Sequence, residues 1–208
     1  MQFLNSEKIL CISPHPDDTE LSISGSIMKF NHTKFDILCL TSGSKGDPTS
    51  STKRLDEVRN FWNGVTNVKL IFSDNHFSNE KSQEEWLNYI DKILDNENYD
   101  MIICPSKIDS HFEHILFYNV CLAAIRHRSI SFLTYNTIST QRNWIPNIHI
   151  DITENFNIKW EKLTSSFTSQ KKHRYFDKET FESFHTDFLS RKKGLKYTEH
   201  FCNELIFS

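Results

Sequence analysis

Hydrophobic residues in the first half of the chain fall in short unbroken runs separated by longer amphipathic stretches. The runs KILCIS (8–13), FDILCLTS (35–42), VKLIFS (68–73) and DMIICPS (100–106) are apolar at most positions. A strand with one wet face alternates, whereas a strand covered on both faces reads as a continuous run, so these segments predict core strands of a parallel sheet. Between them, 20–30, 53–62 and 84–94 have helical character. In the last of these, Trp86, Leu87, Ile90, Ile93 and Leu94 recur at spacings of three and four and share one helical face. Strand, helix, strand, repeated from residue 8 to residue 126, predicts an α/β fold with a doubly wound sheet and right-handed crossovers on both faces. Ligands of such sheets bind beyond the carboxyl ends of the strands, where the strand order reverses beside the first strand. The loops trailing the first and fourth strands are therefore expected to face each other.

After Arg126 the pattern loosens. SFLTYNT (131–137) and NIHIDI (147–152) predict further strands, 156–167 and 178–192 predict helices, and NELIF (203–207) predicts a last strand. No repeat, low-complexity tract or Pro/Gly/Ser linker divides the sequence, so residues 1–208 are read as one domain. In that reading 1–126 is a core α/β half and 127–208 completes the sheet and the pocket. The fold class is thus α/β, a Rossmann-like, doubly wound, mostly parallel sheet with helices on both faces. TSGSKGDPTSSTK (41–53) holds two of the five glycines and reads as a surface loop on the same rim as His15.

Composition narrows the partners. The 208 residues carry 24 basic and 27 acidic side chains, a formal charge of -3, with the basic residues interspersed among acids, which excludes the basic stripe of a nucleic-acid binder. A small neutral or polar substrate fits better, and a homo-oligomer is compatible with the sequence. The five cysteines are odd in number and form no CxxC pair, so they read as buried reduced thiols of a reducing compartment. No stretch approaches the roughly 18 apolar residues of a membrane span, and no secretory signal opens the chain, so a cytoplasmic protein is expected.

Chemistry gathers at two strand ends. The first run stops at Pro14 and is followed by His15, Asp17 and Asp18; the fourth stops at Pro105 and is followed by His111, Glu113 and His114. His15, Asp18 and His114 together make a two-histidine, one-carboxylate set, the composition of a catalytic zinc site that keeps a position open for water. Taken singly, each cluster has an ordinary reading. His-Pro-Asp-Asp can cap the helix that follows it, and two histidines three apart at a helix start can be surface residues. The two clusters become informative together, because both fall where the strand order is expected to reverse.

These stretches resemble the PIG-L/LmbE-like metal-dependent N-deacetylases, whose first motif, PHPDDE or AHPDDE, stands here as PHPDDTE (14–20) and whose second, HxDH, stands as HFEH (111–114). Fainter likenesses are TSG at 41–43, Arg54 with Glu57, TSQ at 168–170 and KYTEHF at 196–201. The resemblance implies an enzyme: a zinc-dependent hydrolase that removes acetyl from an N-acetylated amino sugar, N-acetylglucosamine-like, or its conjugate. It makes His15, Asp18 and His114 the metal ligands, Asp17 the general base, and His111 the group that steadies the oxyanion or protonates the leaving amine. Zinc is the implied ion, and iron(II) or cobalt(II) suits the same ligands. Glu113 stands where Asp is usual and is expected to orient a histidine. Ser24 and Gly25 replace the usual pair of glycines, which is expected to narrow the approach of backbone to substrate, and Phe167 replaces a frequent histidine on the far side of the pocket.

For substrate, Arg54 is a candidate anchor of a hydroxyl, phosphate or carboxylate, or else a helix partner of Glu57. Asp74 is a candidate for sugar hydroxyls, or else a turn cap. Tyr135, Trp144, His76 and Phe77 are candidate sugar-site aromatics, and residues 140–208 are expected to wall the pocket. His32, His127, His149, His173, His185 and His200 read as structural or surface residues. Two rival functions share the same residues: a metal- and sugar-binding protein without turnover, and a non-haem iron oxygenase.

Overall fold

The computed structural model describes residues 6–43 and 48–207, the side chains of 48–52 excepted. The four apolar runs form β1 (Lys8–Ser13), β2 (Lys34–Cys39), β3 (Val68–Phe72) and β4 (Met101–Pro105). Helices α1 (Asp18–Lys29), α2 (Pro48–Trp62) and α3 (Gln83–Asn96) connect them, and α4 (Phe112–Ala124) leads from β4 to β5 (Ser131–Tyr135). These five strands are parallel. Beyond them come β6 (Ile148–Asp151), α5 (Phe156–Ser166), α6 (Lys178–Phe184), α7 (Phe188–Lys192) and β7 (Thr198–Leu205). The seven-stranded sheet runs β3-β2-β1-β4-β5-β7-β6, with β7 antiparallel to both neighbours. The order reverses at β1, as the alternation of strands and helices requires, so the carboxyl ends of β1 and β4 lie side by side.

Two cores flank the sheet. Ile9 and Cys11 of β1 join side chains of α1, α2 and α5 on one face, and Leu10 and Ile12 join those of α3 and α4 on the other. This is the period-two alternation of a strand buried on both sides. Trp86, Ile90 and Leu94 are the buried face of α3, whose first turn is fixed by Ser82 and Glu85 in a capping box. The cysteines are unpaired, four of them buried.

Several boundaries differ from the sequence pattern, each for a physical reason. Part of the loop expected over 41–53, residues 44–47, lies outside the described residues; 48–53 are already helical, with Pro48 at the first helical position, where its missing N–H costs nothing. β3 is the sheet edge and only half-buried. The helix expected over 178–192 is broken after Phe184, because Asp187 caps a new start: its carboxylate accepts from Leu189 N–H (2.8 Å) and Ser190 N–H (3.0 Å). The last strand begins at Thr198, before the apolar NELIF run, because Thr198, Glu199 and His200 are buried with their polar atoms bonded.

Glu199 belongs to a closed cluster. Its carboxylate accepts from the N–H groups of Gly25 (2.8 Å) and Ser26 (2.6 Å) in the middle of α1 and from Lys159 Nζ (2.6 Å). Lys159 is fully buried and donates also to His185 Nε2 at 2.8 Å, while His185 Nδ1 lies 2.9 Å from the Phe181 carbonyl. A Cβ at residue 25 would stand 2.9 Å from Glu199 Oε1 and 3.0 Å from Ile152. Gly25 therefore admits a carboxylate from β7. The expectation that Ser24 and Gly25 govern backbone approach to substrate does not hold: both are buried away from the cavity, and Ser24 Oγ donates to the Glu20 carbonyl at 2.7 Å.

Candidate active site

Pro14 follows β1 and Pro105 closes β4, so the chain leaves both strands at the same rim and turns into a helix. In the first turn, Asp18 Oδ2 accepts from His15 N–H at 2.9 Å. Asp17 has φ 126°, the one positive value at a non-glycine among the described residues, a strain of about 1–3 kcal/mol of the kind held at functional sites. Glu20 reaches back to Asp17 N–H at 3.2 Å, as in a capping box, and its other oxygen accepts from Trp62 Nε1 at 2.5 Å. The turn is thus a helix start, as the ordinary reading has it, and it also delivers two carboxylates to a cavity. In the second turn, His111 caps α4, its Nδ1 accepting from Glu113 N–H at 3.3 Å.

The two turns bring their histidines together. Ring centroids of His15 and His111 are 4.6 Å apart, and His111 stacks on His114 at 4.7 Å. One nitrogen from each of the three lies within 4.8 Å of the others. Asp18 Oδ2 stands 3.1 Å from His15 Nδ1 and 3.3 Å from His114 Nε2. His114 Nε2 is buried without a hydrogen-bond partner among the described residues. Each of these two imidazoles carries a further carboxylate on its other nitrogen: Glu113 Oε2 meets His15 Nε2, and Asp109 Oδ2 lies 3.1 Å from His114 Nδ1.

Charge balance makes the cluster a candidate seat for a cation. Burial presses the His15 and His114 pKa values down, but Asp18 and the outer carboxylates outweigh it and raise them to about 10 and about 9. Asp18 and Glu113 are lowered against their own burial, Glu113 to about 2, by these histidines. A divalent ion would replace the drawn-in protons, so the chemistry of His15, Asp18 and His114 fits a metal. Asp17 differs: burial raises it to about 6 against the lowering pull of Arg54, whose Nη2 lies 2.8 Å from Asp17 Oδ2. His111 is lowered by burial and by the positive charge of its two neighbours.

Asp109 is the site residue that the motifs do not mark. It accepts from His111 N–H (2.7 Å) and Thr137 Oγ1 (2.7 Å), and so fixes both the cap of α4 and the ring of His114. The signal for it is local, an Asp two residues before His111 in the spacing of an Asx turn. Glu113, expected to orient a histidine, touches His15 across the strand ends.

The cavity above the cluster has a volume of about 740 Å³ and is walled by His15, Asp17, Asp18, His111, Glu113 and His114, with Arg54 beside Asp17. Arg54 donates to the carbonyls of Pro16 and Gly43, the latter at 3.0 Å, and does not pair with Glu57. Glu57 instead accepts from Ser169 N–H (2.8 Å) and Oγ (2.6 Å), joining α2 to the TSQ segment. His76 and Phe77 reach the cavity, as do Gln170 and Tyr175 from the C-terminal part. Asp74 is exposed beyond the edge strand β3 and is not among the residues walling this cavity. Tyr135 is core, donating to the Ile12 carbonyl at 2.8 Å, and Trp144 is half-buried outside the cavity. Phe167 packs against Phe61 in the core and forms no part of the pocket.

Known proteins share this fold. A segment of 46 residues is 44% identical to the diacetylchitobiose deacetylase of Thermococcus kodakarensis, covering 21% of this chain and 17% of that protein, so the match spans under a fifth of the relative's length. The fold superposes on the N,N'-diacetylchitobiose deacetylase of Pyrococcus horikoshii, solved with an inhibitor, with a TM-score of 0.79 at 21% identity over 96% of this chain and 84% of that one. It superposes equally, TM-score 0.79, on the 4-carboxy-2-hydroxymuconate hydratase of Pseudomonas putida KT2440, at 13% identity over 97% and 98% of the two chains. Identities this low establish the fold alone. The family model for GlcNAc-PI de-N-acetylase, PIG-L, matches residues 10–125, more than half of the sequence and inclusive of both histidine motifs, and the chain belongs to that family.

Proposed function

We propose that this chain is a metal-dependent hydrolase that removes acetyl from an N-acetylated amino sugar or its conjugate, with His15, Asp18 and His114 as ligands and zinc as the ion. The observation that carries the reading is the convergence of His15 Nδ1, Asp18 Oδ2 and the buried His114 Nε2 on one spot in the cavity, beside a carboxylate they do not use. Zinc suits two imidazoles and a carboxylate, and iron(II) or cobalt(II) is accommodated by the same set. When bound, the ion supplies Lewis acidity and a water acidified toward neutrality.

The chain's own residues do the rest. Asp17 is the base: Arg54 fixes its Oδ2, it lines the cavity where the proton of the attacking water is taken up, and the strained backbone aims it. His111 serves as a donor in its neutral form. Because its Nδ1 accepts the cap bond from Glu113, its proton sits on Nε2, ready to bond the developing oxyanion without an imidazolium. Asp109 and Glu113 hold the two ligand imidazoles in orientation. An apolar rim that includes Phe112 and Ile138, both exposed, leads into a second cavity of about 260 Å³ that shares Leu21, Ile138 and Tyr175 with the first, which suits a sugar conjugate over a free sugar.

The test is release of acetate and free amine from a panel of N-acetylated sugars, free and conjugated, by the zinc-loaded protein. Turnover of any panel member that His114→Ala abolishes supports the reading. A fully loaded protein that binds members of the panel yet releases no acetate overturns it in favour of a binding protein.

A further inference from the structure

His149 and His200, unremarkable in the sequence, face each other across the antiparallel pair β6 and β7 as direct register partners, with ring centroids 5.1 Å apart. Asp187, the capping residue of α7, stands against this pair. Its Oδ2 lies 3.3 Å from His149 Nδ1 and 2.9 Å from His200 Nε2, and the three donor atoms are within 4.8 Å of one another. Its Oδ1 is held by the two N–H groups at the start of α7. Ser190 Oγ adds a fourth polar atom, 3.1 Å from His149 Nδ1 and bonded to Asp187 Oδ2.

We propose that His149, Asp187 and His200 bind a second divalent transition ion, zinc by their chemistry, which clips α7 to the β6–β7 edge of the sheet. Ligands about 2.0–2.2 Å from a tetrahedral zinc stand about 3.3 Å apart, close to the spacings here. Among the described residues no Lys or Arg lies within ion-pair distance of Asp187. The same positions also serve a hydrogen-bonded hub, in which His149 Nδ1 meets Asp187 and Ser190 Oγ, and His200 Nε2 meets Asp187 and Thr198 Oγ1, the last at 2.9 Å; the ion takes the place of the shared protons.

The fold has a use for such a clip. Of the five residues of α7 only Ser190 is buried, while Phe188 is 78% and Leu189 63% exposed, so hydrophobic burial does little to hold this helix. None of the three ligands lines the catalytic cavity, so the site stands independently of the deacetylase reading.

The experiment is metal content by mass spectrometry of full-length protein, stripped, reloaded with zinc and desalted, with thermal unfolding measured alongside. The expected result is about two equivalents in the wild type, about one in His149→Ala and in His114→Ala, and none in the double variant. Zinc should raise the unfolding midpoint of His114→Ala but not of the double variant. His149→Asn, which keeps a polar group beside Ser190, serves as a second variant should the alanine fail to fold. A wild type with a single equivalent that His114→Ala removes, or a second equivalent that persists in both His149 variants, overturns the proposal.

Discussion

Helix α1 meets two sets of buried ionisable groups, one at its start and one at its middle, and they are built on opposite principles. At the middle, Glu199, Lys159 and His185 close on one another and on the backbone of Gly25 and Ser26. At the start, Asp17 sits in a strained backbone beside a cavity, and carboxylates draw both His15 and His114 toward a positive charge. Burial alone therefore does not separate scaffold from site. Access does, because Glu199, Lys159 and His185 are sealed in the interior while the groups at the start of α1 line a cavity.

The contrast can be broken by experiment. The largest effect is expected at the open end: Asp17→Asn lowers turnover by about 10²–10⁴-fold while metal content stays at the wild-type level, whereas His114→Ala loses both the catalytic ion and turnover. Wild-type turnover in Asp17→Asn would remove that residue from the chemistry. At the closed end, Lys159→Met strands the Glu199 charge and should cost about 3–5 kcal/mol in urea unfolding, with the rate per folded molecule unchanged. Were the rate to collapse with stability intact, the closed cluster would have to be counted as part of the site. Gly25→Ala crowds Glu199 Oε1 and Ile152 and should cost about 1–3 kcal/mol by the same measurement; a neutral result would mean that the carboxylate is free to withdraw.

The smallest effect is pH dependence. Burial and Lys159 hold His185 well below its ordinary range, and its Nδ1 stays protonated toward the Phe181 carbonyl. The unfolded chain takes up a proton below about pH 6.5 that the native state refuses, so stability falls as pH falls through that value, by up to about 1.4 kcal/mol per pH unit for this group. His185→Gln should lose that component, and identical slopes for variant and wild type between pH 7 and pH 5 would show that His185 protonates in place.

Most of the fold and the centre of the site were legible because their causes are local. A continuous apolar run ending in proline declares a core strand and its exit, and β1 and β4 do this at the two places where His15 and His111 follow. The illegible parts depend on distant partners. Thr198, Glu199 and His200 look like loop, and become strand only because Lys159 and Asp187 satisfy them. Asp109 looks like any turn residue until His114 and Thr137 are brought to it. Asp187 reads as the interior of a helix, yet its side chain gains more by capping α7 than by continuing α6.

The position of β7 bears on how the molecule comes into being. β6 enters the sheet only through β7, which is separated from it by α5, α6 and α7 and lies between β6 and β5. During synthesis β1 to β5 can zip together in sequence, while β6 emerges with no template and must wait for β7 to thread between it and β5. The same late strand carries Glu199, which must reach into α1 after that helix already exists. Long-range pairing of this kind is slow, so the closing of the sheet is expected to be the last and rate-setting event of folding, and a ribosome stalled before β7 would present β5 as an exposed edge.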